Sequence, residues 1–191
     1  MRKIITIVVC SLALILCTAN VFAQTDLLKV DYFANANTAG APDGTVRLTN
    51  PGTYTSPSGN ICASIFVFDP FQEMSECCSC RLTPDGLRTL SINTDITGNP
   101  LTGVTLTTGV IKVVSTKPST SGTCPLPTFV NPAAAVRSWV THIQDSNFAV
   151  TETGSQDATL SVAEATALAR QCTGIKLVGS GKGICSCGTG D

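Results

Sequence analysis

The 191-residue chain carries 12 Lys+Arg against 13 Asp+Glu, and only 13% of its residues are charged. A formal charge of −1 without any basic cluster excludes nucleic-acid and anionic-membrane partners, which both demand clustered positive charge. Thr, Ser, Gly and Ala fill much of the rest and long Lys- and Glu-rich helices are absent, a composition of extracellular β-proteins rather than cytoplasmic enzymes.

"MRK" is a short positive start, and "IITIVVCSLALIL" is an apolar run too short to span a bilayer comfortably. Val21 and Ala23 then occupy the small-residue positions of a signal-peptidase site. Cleavage after Ala23 is expected, with residues 1–23 as leader and 24–191 as one disulfide-rich β domain. A lipoprotein leader is set aside because Leu16, ahead of Cys17, is too large for that processing. Removing 23 of the 191 residues leaves 168, enough for one core. It also removes Arg2 and Lys3, so the net charge becomes −3, with 10 basic residues against 13 acidic.

"LLKVDYFAN" (27–35) is β-rich and reads as the first strand. "TVRLTNPG" alternates Val46 and Leu48 with Arg47 and Thr49, a half-exposed strand ended by Asn-Pro-Gly. "ICASIFVFD" (61–69) is nearly all apolar and reads as a buried central strand with Cys62 near its start. "PFQEMSE" is a connector into a cysteine cluster, and "TPDG" (83–86) is a turn. "LRTLSIN" and "GVIKVVST" (109–116) are two further strands. In the second, Val110, Lys112 and Val114 share one face and Ile111, Val113 and Ser115 the other.

The stretch 115–132 is rich in Ser, Thr and Pro and is expected to be an irregular loop tied down by Cys124. "VRSWVTHIQ" and "FAVTET" form a hairpin around "DSN". Asn131-Pro132 would also suit a helix start for the first arm, but Val140, Thr141 and Ile143 favour strand. A helix is predicted at about 161–172, with Ser161 and Glu164 as a capping box and Gly174 at its stop. Its apolar stripe is Ala165, Leu168, Ala169 and Cys172. "IKLVGSGKGICSCG" reads as a terminal β-hairpin or an extended tail. The whole is a mostly β, single-domain sandwich-like fold with one helix in the C-terminal half.

Ten cysteines are present, and Cys10 and Cys17 leave with the leader. The other eight are Cys62, Cys77, Cys78, Cys80, Cys124, Cys172, Cys185 and Cys187, an even set that marks a disulfide framework in an exported chain. Cys77 and Cys78 are adjacent, so on extended chain they face opposite ways and bridge to different places. Cys172 is expected to pair locally, with Cys185 or Cys187. The alternative is a soft-metal (Zn or Cu) or thiol-redox centre at the two Cys-Ser-Cys motifs, using Cys78, Cys80, Cys185 and Cys187. Neither "CSC" nor "CC" has the Cys-x-x-Cys spacing of a redox motif.

Catalytic patterns are sparse. His142 is the only histidine, no Gly-x-Ser-x-Gly elbow accompanies it, and it reads as a structural residue. "GSGKG" (179–183) fails as a phosphate loop, with Lys176 where the first Gly belongs and Gly183 where Ser or Thr belongs. Asn93, Asp95, Thr97 and Gly98 imitate the front of a calcium loop, but Val104 stands at the closing glutamate. A hydrolase using paired carboxylates would draw on Glu73, Glu76, Asp145, Glu152 or Asp157.

The leading expectation is an exported, non-enzymatic structural or interaction module of the cell envelope or surface, without a cofactor. It would be secreted, periplasmic or at the cell surface, and partnered by another envelope or extracellular protein. The absence of any Asn-x-Ser/Thr sequon fits a bacterial source.

Overall fold

A computed structural model describes residues 27–55, 57–99, 102–126, 132–133, 135–145, 147–178, 185 and 187. The expected leader with Cys10 and Cys17, and the Gly-rich stretch 179–183, lie outside the described residues. Among the described residues nine strands and two helices follow in order: β1 (Leu28–Phe33), β2 (Thr45–Thr49), β3 (Ile61–Phe68), β4 (Met74–Leu82), β5 (Leu87–Ser91), α1 (Ile92–Asp95), β6 (Gly109–Thr116), β7 (Arg137–Ile143), β8 (Val150–Gly154), β9 (Gln156–Ala158) and α2 (Val162–Val178).

The strands form two antiparallel sheets, one ordered β4-β3-β6-β1-β9 and the other β5-β2-β7-β8. They are stacked as a sandwich. Phe33, Val46, Leu48, Ile65, Leu82, Ile111, Val113 and Val140 fill the space between the sheets. Helix α2 lies on the outer face of the five-stranded sheet, making a third layer. Leu168, Cys172 and Ile175 pack there against Leu28, Phe66, Met74, Cys77 and Val114. Strand β3 is therefore covered on both faces, which is why its sequence is a continuous apolar run rather than an alternation. Strand β6 keeps the alternation: Ile111 and Val113 enter the inter-sheet core, while Lys112 meets Glu164 of α2 on the other face.

Several expectations shift. The connector expected at "PFQEMSE" ends early, because strand β4 begins at Met74 and carries the cysteine cluster in its body, paired with β3. The strand expected at "LRTLSIN" stops at Ser91, whose hydroxyl accepts the Thr94 N–H and starts the short helix α1 instead. Helix α2 begins as expected, with Ser161 accepting the Glu164 N–H at 3.0 Å. Glu164 does not close the capping box, because its carboxylate goes to Lys112. The helix also runs through Gly174 to Val178, so the segment 175–178 is helical rather than part of a hairpin. Ile175 is 2% exposed in the helix–sheet layer. Burying it contributes about 2 kcal/mol, which outweighs the roughly 1 kcal/mol that an internal glycine costs.

The two edges of the sandwich are built differently. At one edge the Thr83–Gly86 turn carries the chain from β4 in the first sheet to β5 in the second, with the Gly86 N–H on the Thr83 carbonyl. The fully buried Asn50 braces this turn by donating to the carbonyls of Gly59 and Leu82. At the other edge a single residue, Ser155, takes the chain from β8 across to β9 in the opposite sheet. Its N–H donates to the Ser138 carbonyl at 2.9 Å, and the two serine hydroxyls meet at 2.7 Å. Strand β9 carried no apolar signal in its three residues, Gln-Asp-Ala.

Candidate functional site

Strand geometry decides where the sulfurs go. Successive side chains of β4 point to opposite faces, so Cys77 faces the helix while Cys78 and Cys80 face the inter-sheet core. Cys77 accordingly bridges Cys172 of α2, and Cys78 and Cys80 bridge Cys185 and Cys187 of the tail. Cys62 of β3 takes Cys124 from the loop after β6. Adjacent Cys77 and Cys78 thus lead to different places. The local pairing of Cys172 with Cys185 or Cys187 is wrong: the helix stands on the outer face of the sheet and the tail enters on the inner one. Arg88 of β5 donates to the Cys187 carbonyl at 3.5 Å, so the tail touches both sheets at the β4/β5 edge and closes it.

The four cysteines of the soft-metal alternative do meet. The sulfurs of Cys78, Cys80 and Cys187 lie within 4.8 Å of one another, and Cys185 is bonded to Cys78. With both bridges closed, no thiolate in this group is left to ligate.

The opposite edge holds a different arrangement. His142, on β7, and Asp31, on β1, come from different sheets and share an inward face with Val140 and Phe33 respectively. Their side chains are each 8% exposed, with His142 Nε2 3.3 Å from Asp31 Oδ1. The same Nε2 meets Thr153 Oγ1 at 2.7 Å. The Tyr32 ring lies 4.5 Å from the imidazole, tilted by 41°, and is 56% exposed. His142 Nδ1 and Asp31 Oδ2 are buried without any hydrogen-bond partner. Nucleophile activation needs the hydroxyl and the carboxylate on opposite ring nitrogens. Here both are on Nε2, so the trio is not a hydrolytic triad.

The carboxylates expected for a hydrolase are dispersed. Asp157 pairs with Lys29, Glu152 pairs with Arg47, and Asp145 accepts from the Asn35 amide at 2.8 Å. Glu73 is exposed on the loop before β4. Glu76 differs from the others. It is 6% exposed, accepts the Gly98 N–H, and leaves Oε2 without a partner. Burial pushes its pKa from 4.5 to about 7, with the nearby Asp95 charge adding to the rise and the Gly98 hydrogen bond opposing it. The calcium-like stretch is used up locally. Asn93 accepts the Asn37 N–H, Asp95 accepts the Ser91 N–H at 2.7 Å, and Thr97 donates to the Asn93 carbonyl.

Compared with known protein families, characterised proteins and solved structures, the chain matches none. Among the described residues no helix is long and apolar enough to cross a membrane.

Proposed function

We propose that the chain is an exported, non-enzymatic structural or interaction module of the cell envelope or surface, acting through another extracellular or envelope protein. The observation that carries this reading is the set of three bridges anchored within four residues of β4. Together with Cys62–Cys124 they engage all eight cysteines left after leader removal, a framework that persists only in an oxidising compartment. The four bridges tie the helix, the tail and the loop after β6 to the paired strands β3 and β4, which suits a rigid scaffold that presents loops and edges to a partner.

The test is fractionation of native cells with sequencing of the chain's N-terminus and titration of its thiols after denaturation without reductant. The reading expects a chain beginning at Gln24 in an extracytoplasmic fraction, with no reactive thiol. A cytoplasmic chain retaining Met1, or one with all eight thiols free, would overturn it. The convergence of Cys78, Cys80 and Cys187 favours one second reading, a soft-metal site. Four reactive cysteines together with bound zinc or copper would establish that reading in its place.

A further inference from the structure

The His142 edge contains a cavity of about 490 Å³, lined in part by Asp31, Tyr32, Gln144, His142, Thr153 and Gln156. We infer that this cavity is a binding site for a neutral, hydroxyl-rich ligand, a sugar ring in chemical terms. The inference goes beyond the structural or interaction role and does not depend on where the chain resides.

Two buried groups mark the cavity as a built site. The side chains of Asp31 and His142 are more than nine-tenths buried, and each keeps one polar atom, Oδ2 and Nδ1, without a hydrogen bond. A buried polar atom left unpaired is rare, because it forfeits its hydration without compensation. Both residues line the cavity, and the exposed Gln144, Thr151, Thr153 and Gln156 around them give a ligand its accessible polar atoms. The volume falls within the range of small-molecule sites.

The chemistry of the wall selects the ligand class. Among the described residues no lysine or arginine lines the cavity, which disfavours phosphates, sulfates and carboxylates. The single carboxylate there is already 3.3 Å from the imidazole, so a cation would find one shared ligand. The rest of the polar wall is two glutamine amides and two threonine hydroxyls, Thr151 and Thr153, which both donate and accept. Sugar hydroxyls are the matching partners, since each also donates and accepts. Tyr32 adds a flat apolar surface, more than half exposed, against which the C–H face of a pyranose packs.

The test uses the oxidised full chain, with glucose, galactose, mannose, N-acetylglucosamine and cellobiose as probes at millimolar concentration. Binding is read from the ring resonances of His142 and Tyr32 by NMR. At least one probe is expected to shift both rings saturably. Tyr32→Ala is exposed enough to leave the melting temperature unchanged and should weaken that probe about tenfold, as expected for losing one aromatic contact. Asp31→Asn should weaken it as well. The inference is overturned if no neutral sugar moves either ring or if Tyr32→Ala binds as tightly as the parent. It is equally overturned if acetate or phosphate saturates the site where the sugars do not.

Discussion

Two adjacent, interleaved disulfides make an unusual prediction about which bridge matters most. Cys80–Cys187 spans 107 residues and Cys62–Cys124 only 62. Taken singly, the chain-entropy relation makes the longer loop slightly more stabilising, each bridge contributing about 4–5 kcal/mol. The bridges do not act singly. Cys78–Cys185 lies two residues away on both sides of Cys80–Cys187, so with the first closed the second completes a ring of only a few residues. Its effective contribution then falls to about 2 kcal/mol. No other bridge shortens the Cys62–Cys124 loop in this way, and it keeps its contribution of about 4 kcal/mol. The comparison is fair because each pair has one buried and one half-buried cysteine, so sulfur-packing losses are similar. Replacing both cysteines of a bridge by alanine, in two separate variants, and measuring urea unfolding without reductant gives the two costs. Removal of Cys62–Cys124 should cost about twice as much as removal of Cys80–Cys187. Equal costs, or a larger cost for Cys80–Cys187, would refute the small-ring argument.

Glu76→Gln should flatten the pH dependence of stability. The folded-state pKa of about 7 lies above the unfolded 4.5, so the folded chain holds more protons between those values and loses stability as pH rises through them. The contribution is fully present below about pH 4.5 and gone above about pH 7, on the order of 3 kcal/mol. Urea midpoints at about pH 5 and about pH 8 should converge in the variant, and an unchanged gap would place the titration elsewhere. Gly109→Ala should destabilise by roughly 1–3 kcal/mol, because its Cβ would sit 2.6 Å from the Phe68 carbonyl oxygen and 2.8 Å from the Phe33 ring. A parental melting temperature would show that β6 can shift to make room. Ser161→Ala should cost about 1 kcal/mol through loss of the α2 cap, read in the same unfolding assay. A cost near zero would mean that the Cys77–Cys172 bridge and the packing of Leu168 and Ile175 hold the helix without its cap.

Much of the fold was legible because burial writes itself into local sequence. The apolar runs of β3 and β6 and the β7–β8 hairpin were identifiable from pattern. Strand β9 was not, since its three residues sit at an edge and are defined by what β1 offers them. The end of α2 was misplaced because Gly174 is a stop signal only where nothing beyond it is buried, and Ile175 is. Cysteine pairing depends on which face of β4 each partner approaches, which sequence separation does not encode. The separation of Cys77 from Cys78 was recoverable from alternation alone. The same alternation put Asp31 in phase with Phe33 and His142 in phase with Val140, the only sequence trace of a pair that the fold assembles from opposite sheets. Its unpartnered atoms have no sequence signal at all.

The two edges of the sandwich are held together in different ways. At the β4/β5 edge, two bridges and the Arg88 contact hold the tail against both sheets. At the β8/β9 edge the sheets are joined by one residue, Ser155, and by a His–Asp pair that leaves two buried polar atoms unsatisfied. Each such atom costs about 1–3 kcal/mol, a local violation that a marginally stable domain rarely tolerates without reason. The bridges at the far edge contribute several kcal/mol through the unfolded state, enough to offset it. Stability supplied at one edge therefore offsets the incompletely satisfied His142–Asp31 pair at the other.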